Sequence, residues 1–149
     1  MCGIYGIIGD CEKNVEEANR MKELLINRGP DNQNHELIDN SILGNTRLSV
    51  VDLDINSNQP YKSRSKKTVI VFNGEIYNYK ELKEKYKITS ITQSDTEILA
   101  ELYEIKGLNM FDEIDGMYAA CIYDRENQTF YLCRDDIGIK PLYYTLKNN

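Results

Sequence analysis

The sequence predicts an α+β protein built on antiparallel sheets. Strand-like runs outnumber helical ones, the helices fall between blocks of strands and not after every strand, and short turn-rich segments join successive strands. Its 149 residues have the length of one domain, and no internal repeat, linker or composition shift divides them, so residues 1–149 are expected to form a single domain.

Gly3 to Ile8 is short, apolar and β-branched, as in a buried strand. Asn14 with Glu17 resembles a capping box for a helix carrying Val15, Ala18, Met21, Leu24 and Leu25, which ends near Arg28-Gly29-Pro30. Glu36–Ile38 and Ile42–Leu43 flank Asp39-Asn40-Ser41 as a hairpin. Asp52 to Ser65 mixes Asn, Ser, Pro and charge without a period, which predicts a long surface loop. Thr68–Phe72 and Glu75–Tyr77 are two strand-like runs around Asn73-Gly74, and a charged helix follows from about Tyr79 to Tyr86. Ser94 and Glu97 form a second capping box, for a helix with Ile98, Leu99, Leu102 and Ile105 that Gly107 closes. Met117–Tyr123 and Thr129–Cys133 surround Arg125-Glu126-Asn127 as a last hairpin.

Hydrophobic residues make up 41% and charged residues 28%, an ordinary globular balance. Eighteen basic against 24 acidic residues leave a net charge of −6, the wrong sign for a surface that tracks phosphates, so nucleic acid is not an expected partner. The longest apolar run, Met117 to Tyr123, is far short of the ~20 residues a bilayer span needs, and nothing at the N-terminus marks the chain for export. No membrane association is expected, and the cytoplasm is the expected compartment. Cys2, Cys11, Cys121 and Cys133 include no C-x-x-C pair and His35 is the one histidine, so no metal site is expected and most of the thiols are expected in the core. Gly3, Gly6 and Gly9 lack the spacing of the dinucleotide fingerprint.

Several residues carry possible chemistry. Cys2 follows Met1; removal of the initiator gives it a free α-amine of pKa near ~8, a general base for its own thiol, whereas position alone favours the plain reading, the first residue of a strand. Asn73-Gly74 has two readings: a two-residue hairpin turn, or an oxyanion hole in which an amide and a backbone N–H serve one developing O⁻. Arg47 presents a planar fork suited to a carboxylate. Glu75 and Asp95 suit a cationic amine, and Asp95 also suits a helix N-terminus.

Together these residues resemble the N-terminal glutaminase domain of class II glutamine amidotransferases, most closely that of glutamine-hydrolysing asparagine synthetases. The blocks run the length of the chain: Cys2-Gly3-Ile4-Tyr5-Gly6, Arg28-Gly29-Pro30-Asp31, Arg47-Leu48-Ser49-Val50-Val51-Asp52, Gln59-Pro60, Asn73-Gly74-Glu75-Ile76-Tyr77-Asn78, Ser94-Asp95-Thr96-Glu97, and Arg134-Asp135 leading to Gly138 through Tyr144. The Arg47 block, Gln59-Pro60 and the Asn73 block favour the asparagine synthetase branch over the sugar-phosphate and phosphoribosyl branches.

The resemblance implies an N-terminal-nucleophile hydrolase fold, a four-layer αββα sandwich of two antiparallel sheets. It assigns Cys2 as nucleophile and Asn73 and Gly74 as oxyanion donors. Arg47 holds the α-carboxylate of L-glutamine, Glu75 and Asp95 hold its α-ammonium, and backbone groups around Leu48 and Val50 complete the pocket. No cofactor is implied in this domain; ATP and magnesium are expected only on a synthetase domain or subunit, the implied partner that receives the ammonia. The chain departs from the family in having Asn27 before Arg28 and Asn45 ahead of the Arg47 block, both where histidine is common. It also stops soon after Tyr144, short of a usual glutaminase domain, and contains nothing like an ATP-pyrophosphatase loop, so asparagine formation is expected to need residues beyond it. A catalytically silent glutamine-binding or regulatory module and the glutaminase domain of a different amidotransferase branch are the alternatives.

Overall fold

In a computed structural model that describes residues 2–50 and 52–147, apart from the side chains of Cys11 and Glu12, seven strands form two antiparallel sheets. In chain order the elements are β1 (Gly3–Ile8), α1 (Val15–Leu25), β2 (Asn32–Ile38), β3 (Ser41–Arg47), β4 (Tyr61–Lys62), β5 (Thr68–Ile76), α2 (Tyr79–Lys85), α3 (Asp95–Lys106), β6 (Gly116–Asp124) and β7 (Thr129–Arg134). The first sheet has the order β1-β3-β2 and the second β4-β5-β6-β7. The expected β1 run is the observed strand, and the Asp39-Asn40 turn joins β2 to β3 with Ile38 opposite Ser41. Met1 and Val51 lie outside the described residues, as does the side chain of Cys11, for which a core position was expected.

The layers follow from the two-residue period of the strands. Val69 and Val71 of β5 and Cys121 and Tyr123 of β6 meet Ile38 and Leu43 of the first sheet, with Ile4 and Phe130 beside them. The intervening residues Ile70, Phe72, Tyr118, Ala120 and Ile122 turn the other way, onto Leu82 of α2 and Ile98, Leu99 and Leu102 of α3. On the far side of the first sheet, Tyr5 and Ile42 pack on Ala18 of α1, with Met21 and Leu25 at the margin. Helix, sheet, sheet and helices are thus four layers, as the resemblance implies.

Local expectations fail where tertiary partners intervene. Asn73-Gly74 is not a turn: β5 runs unbroken from Thr68 to Ile76, with Asn73 opposite Ala119 and Gly74 opposite Tyr118. Residues 52–65 are not all surface, because Ser57, Gln59, Tyr61 and Ser63 are buried and Tyr61–Lys62 forms β4; the segment is a strap across the edge of β5. The Asn14 capping box does not form, since Asn14 donates instead to the Asp10 carbonyl. At α3, Ser94 caps Thr96 N, while Glu97 turns away to hold Ile91 N and Thr92 N. Leu24 and Ile105, though periodic with their helices, are exposed. Gly107 ends α3 with φ of 57°, a conformation that favours glycine.

Candidate active site

Cys2 precedes β1, and the register that sets Gly3 opposite Thr46 brings it beside Arg47 and Leu48 at the end of β3. Leu48 N–H donates to Cys2 Sγ at 3.5 Å, and the thiol faces Leu48 O at 3.7 Å. The backbone on either side of the sulfur is pinned: Arg28 Nε donates to Cys2 O at 3.1 Å, and Gly3 N–H donates to Thr46 Oγ1 at 3.1 Å, whose own hydroxyl donates to Leu25 O at 3.0 Å. Cys2 is half-buried at this strand end. Burial pushes the Cys121 thiol up to about 12, with Cys133 adding to the rise, and pushes Cys133 up to about 11, so neither is a ready thiolate near neutrality.

The second group lies on β5. Tyr118, opposite Gly74, spends its own backbone on Asp135: its N–H donates to Asp135 Oδ2 at 3.1 Å and its carbonyl accepts from Asp135 N at 2.9 Å. Gly74 and Tyr118 are therefore a pair that exchanges no ladder bonds, and the Gly74 N–H is aimed at the opposite edge of β5. On that edge the neighbouring N–H groups are already taken. Phe72 N donates to Gln59 Oε1 at 2.6 Å, and Ile76 N to Asp95 Oδ2 at 3.0 Å. A Cβ at Gly74 would collide with the Met117 carbonyl and Tyr118 on β6, so glycine is required for the strands to approach. Asn73 shares the face of Val69 and Val71, which looks across the interlayer toward the sheet that carries Cys2.

Arg47 is buried, and three of its five N–H donors are spent on the strap: on Asp54 O at 3.0 Å, on Asn58 Oδ1 at 2.7 Å and on Asp52 O. The guanidinium is thereby fixed, and its other two N–H donors take no bond among the described residues. Asp95 begins α3, and burial raises its carboxyl above the usual range; Ile76 and Thr96 N–H bonds counter the rise, and the nearby charge of Glu75 adds to it. A buried acid with a second acid beside it is an environment that a bound cation relieves. Glu75 itself is exposed on β5. Of the residues whose backbone was expected in the pocket, Leu48 touches the Cys2 sulfur, and Val50 lies two residues on and is 75% exposed.

Two residues the sequence marked only as motif members hold these parts in place. Gln59 accepts from Phe72 N and donates to Thr96 Oγ1 at 3.4 Å, and so ties the strand before Asn73 to the helix of Asp95. Asp52 gathers the strap around Arg47. A buried glutamine beside a proline was the available signal; the partners are 13 and 37 residues away and leave no local trace. Asn45, where the family commonly has histidine, is buried in β3, and its Nδ2 has no hydrogen-bond partner among the described residues. Also among the described residues, no group of three or more His, Cys, Asp or Glu side chains is placed to hold a metal, and no helix is long and apolar enough to cross a membrane.

A family model described as a glutamine amidotransferase domain matches residues 1–149. The chain is 38% identical to asparagine synthetase (glutamine-hydrolyzing) 2 of Bacillus subtilis strain 168, over 97% of its own length and 20% of that protein's. It is 36% identical to asparagine synthetase B (glutamine-hydrolyzing) of Escherichia coli strain K12, over 96% and 26%, and 38% identical to the asparagine synthetase (glutamine-hydrolyzing) of Zea mays, over 96% and 25%. The chain thus spans about a quarter or less of the length of these three relatives.

Proposed function

The chain belongs to the glutamine amidotransferase domain family, and on that premise we propose that it hydrolyses the side-chain amide of L-glutamine to glutamate and ammonia through a thioester on Cys2. The observation that carries this reading is the register of β1 on β3, which brings Cys2 to the end of β3 beside Arg47 and sets its sulfur against the Leu48 N–H. The α-amine freed by loss of Met1 takes the thiol proton, and the sulfur attacks the amide carbon. Asn73 Nδ2 and the edge-directed Gly74 N–H receive the developing oxyanion. The C–N bond breaks as the amine returns its proton to the leaving nitrogen, and ammonia departs. Water then adds to the thioester carbonyl, its proton passing to the α-amine, and the C–S bond breaks to release glutamate.

Arg47 holds the α-carboxylate through its remaining N–H groups. Asp95 and Glu75 hold the α-ammonium, whose charge offsets the cost of keeping Asp95 ionised in a buried place. Residues 1–149, once Met1 is lost, belong to one glutaminase domain, whose proposed chemistry uses no metal or cofactor. The ammonia goes to a synthetase-type domain or subunit in the cytoplasm that uses ATP and magnesium to convert aspartate to asparagine. The test is glutamate release from L-glutamine by protein whose intact mass shows Met1 removed. Turnover that disappears in Cys2→Ala supports the reading; a processed chain that binds L-glutamine without turnover contradicts it and favours a binding module.

A further inference from the structure

Arg47 and Asp95 sit on different elements, β3 and α3, yet the groups they are proposed to hold are attached to one carbon atom. Their spacing must therefore be fixed by something other than the substrate, and one residue of the strap is bonded toward both. We propose that Asp52 is a positioning residue that sets the separation of Arg47 and Asp95 and thereby selects an intact α-amino acid end. This rests on the function proposed above.

The carbonyl of Asp52 accepts from Arg47 Nη2. Its Oδ1 accepts from Asp54 N–H at 2.9 Å, and the Asp54 carbonyl in turn accepts from Arg47 Nη1 at 3.0 Å, so the turn that receives the guanidinium is closed by the Asp52 carboxylate. Its Oδ2 accepts from Ser57 Oγ at 2.7 Å and from Gln93 N–H at 2.8 Å. Gln93 stands two residues before Asp95 in a segment clamped to α3: Glu97 holds Ile91 N at 2.9 Å and Thr92 N at 2.8 Å, Ser94 N donates to Thr92 Oγ1 at 3.2 Å, and Ser94 Oγ accepts from Thr96 N at 3.2 Å. With that segment tied to the helix, the Asp52–Gln93 bond ties the helix to the strap. Asp52 takes no part in the chemical steps assigned to Cys2, Asn73 and Gly74. Its loss loosens the grip on the amino acid end and leaves the reacting end in place.

The experiment compares wild type, Asp52→Ala and Asp52→Asn as full chains lacking Met1. Each is assayed on L-glutamine and on two amides that keep one charge each: 4-carbamoylbutanoate, without the ammonium, and 4-aminobutanamide, without the carboxylate. Asp52→Ala is expected to raise KM for L-glutamine about tenfold with kcat within about twofold, and to change kcat/KM for each one-charge amide by less than about twofold. Asp52→Asn, which keeps an acceptor for Asp54 N, is expected to recover part of the loss. Equal losses on all three amides, a fall confined to kcat, or no change overturns the assignment. If Asp52→Ala does not fold, Ser57→Ala removes one bond to the same carboxylate and is expected to give the same KM pattern at smaller size; a uniform or absent effect there also overturns it. Calorimetric affinity for L-glutamine in a Cys2→Ala background separates the two claims. Absence of turnover in wild type refutes hydrolysis, while an affinity unchanged by Asp52→Ala refutes the role of Asp52 whether or not the protein is hydrolytic.

Discussion

The two sheets that meet at the candidate site are held in place by different means. The second sheet is packed: fifteen buried residues, among them Leu102, Met110 and Ile122, form the cluster between β5, β6 and the helices α2 and α3. Between the outer face of the first sheet and α1 the buried cluster is smaller: Tyr5, Ala18 and Ile42, with Ile7, Val15, Met21 and Leu25 half-buried around them, while Leu24 is left 83% exposed. Cys2, the proposed nucleophile, is at the end of the lightly covered sheet. What fixes Cys2 is a set of bonds between side chains and backbone, from Arg28 to its carbonyl, from Leu48 N–H to its sulfur and from the next residue's Gly3 N–H to Thr46, whereas Asn73 and Gly74 are fixed by a strand buried on both faces. Apolar burial of this kind contributes about 1.5–3 kcal/mol per large side chain, and a single net hydrogen bond about 0.5–1.5 kcal/mol. Chemistry and stability are therefore separable around Cys2 and less so on the scaffold of β5.

The largest expected effect separates two cysteines. Cys2→Ala is expected to eliminate glutamine hydrolysis with little change in thermal midpoint, and Cys121→Ala, in the interlayer core, to retain hydrolysis and lose roughly 1 kcal/mol of stability. Rates and midpoints on the same preparations check the contrast. Next is Asn73→Ala, expected to fold and bind L-glutamine but to lose about 10²–10³ in kcat in single-turnover acylation. Near-normal acylation with a collapsed midpoint would move Asn73 from the chemistry to the scaffold. Third, Leu102→Ala is expected to cost about 2–5 kcal/mol and Leu24→Ala to stay within about 0.5 kcal/mol, by denaturant titration; equal costs would erase the difference between the sheets. Fourth, Arg47→Lys keeps the charge and loses the planar fork, for a rise in KM worth about 1–3 kcal/mol.

The smallest effect concerns a carboxylate remote from Cys2. Glu113 accepts from Lys85 at 2.6 Å, from Tyr86 and from Lys106 at 2.9 Å, and these partners, Lys85 first, hold its pKa down at about 2 against an ordinary 4.5. A depressed carboxylate stabilises the fold above its unfolded value and ceases to do so as pH falls toward its folded value. Glu113→Gln should therefore lower the midpoint at neutral pH and converge with wild type between pH 4.5 and about 2. A difference that persists at the acid end would assign the effect to packing.

Much of the architecture was legible because it is local. The β-branched run Gly3–Ile8 and the hairpin at Asp39-Asn40 are decided by their own residues. Asn73-Gly74 is the opposite case: the pair has the chemistry of a turn, and only β6 on one side with Gln59 and Asp95 on the other keeps it in a strand. The same applies to the strap, whose polar composition predicts exposure although Gln59 is buried on the Phe72 N–H of β5 and Ser57 on the Asp52 carboxylate of the strap itself. The candidate site residues stand out in the sequence as members of motifs. The supporting roles, that of Asp52 above all, were not legible, since the partners meet only in the folded chain.

The proposed hydrolysis depends most on Cys2 being the one thiol that reacts with an amino acid shaped like glutamine. A diazoketone analogue of L-glutamine, incubated with the Met1-free chain near neutral pH and followed by intact and peptide mass, measures that directly. A single adduct on Cys2, slowed by competing L-glutamine and absent in Cys2→Ala, is the predicted result. An adduct on Cys121 or Cys133, or one on Cys2 that L-glutamine does not slow, would contradict it.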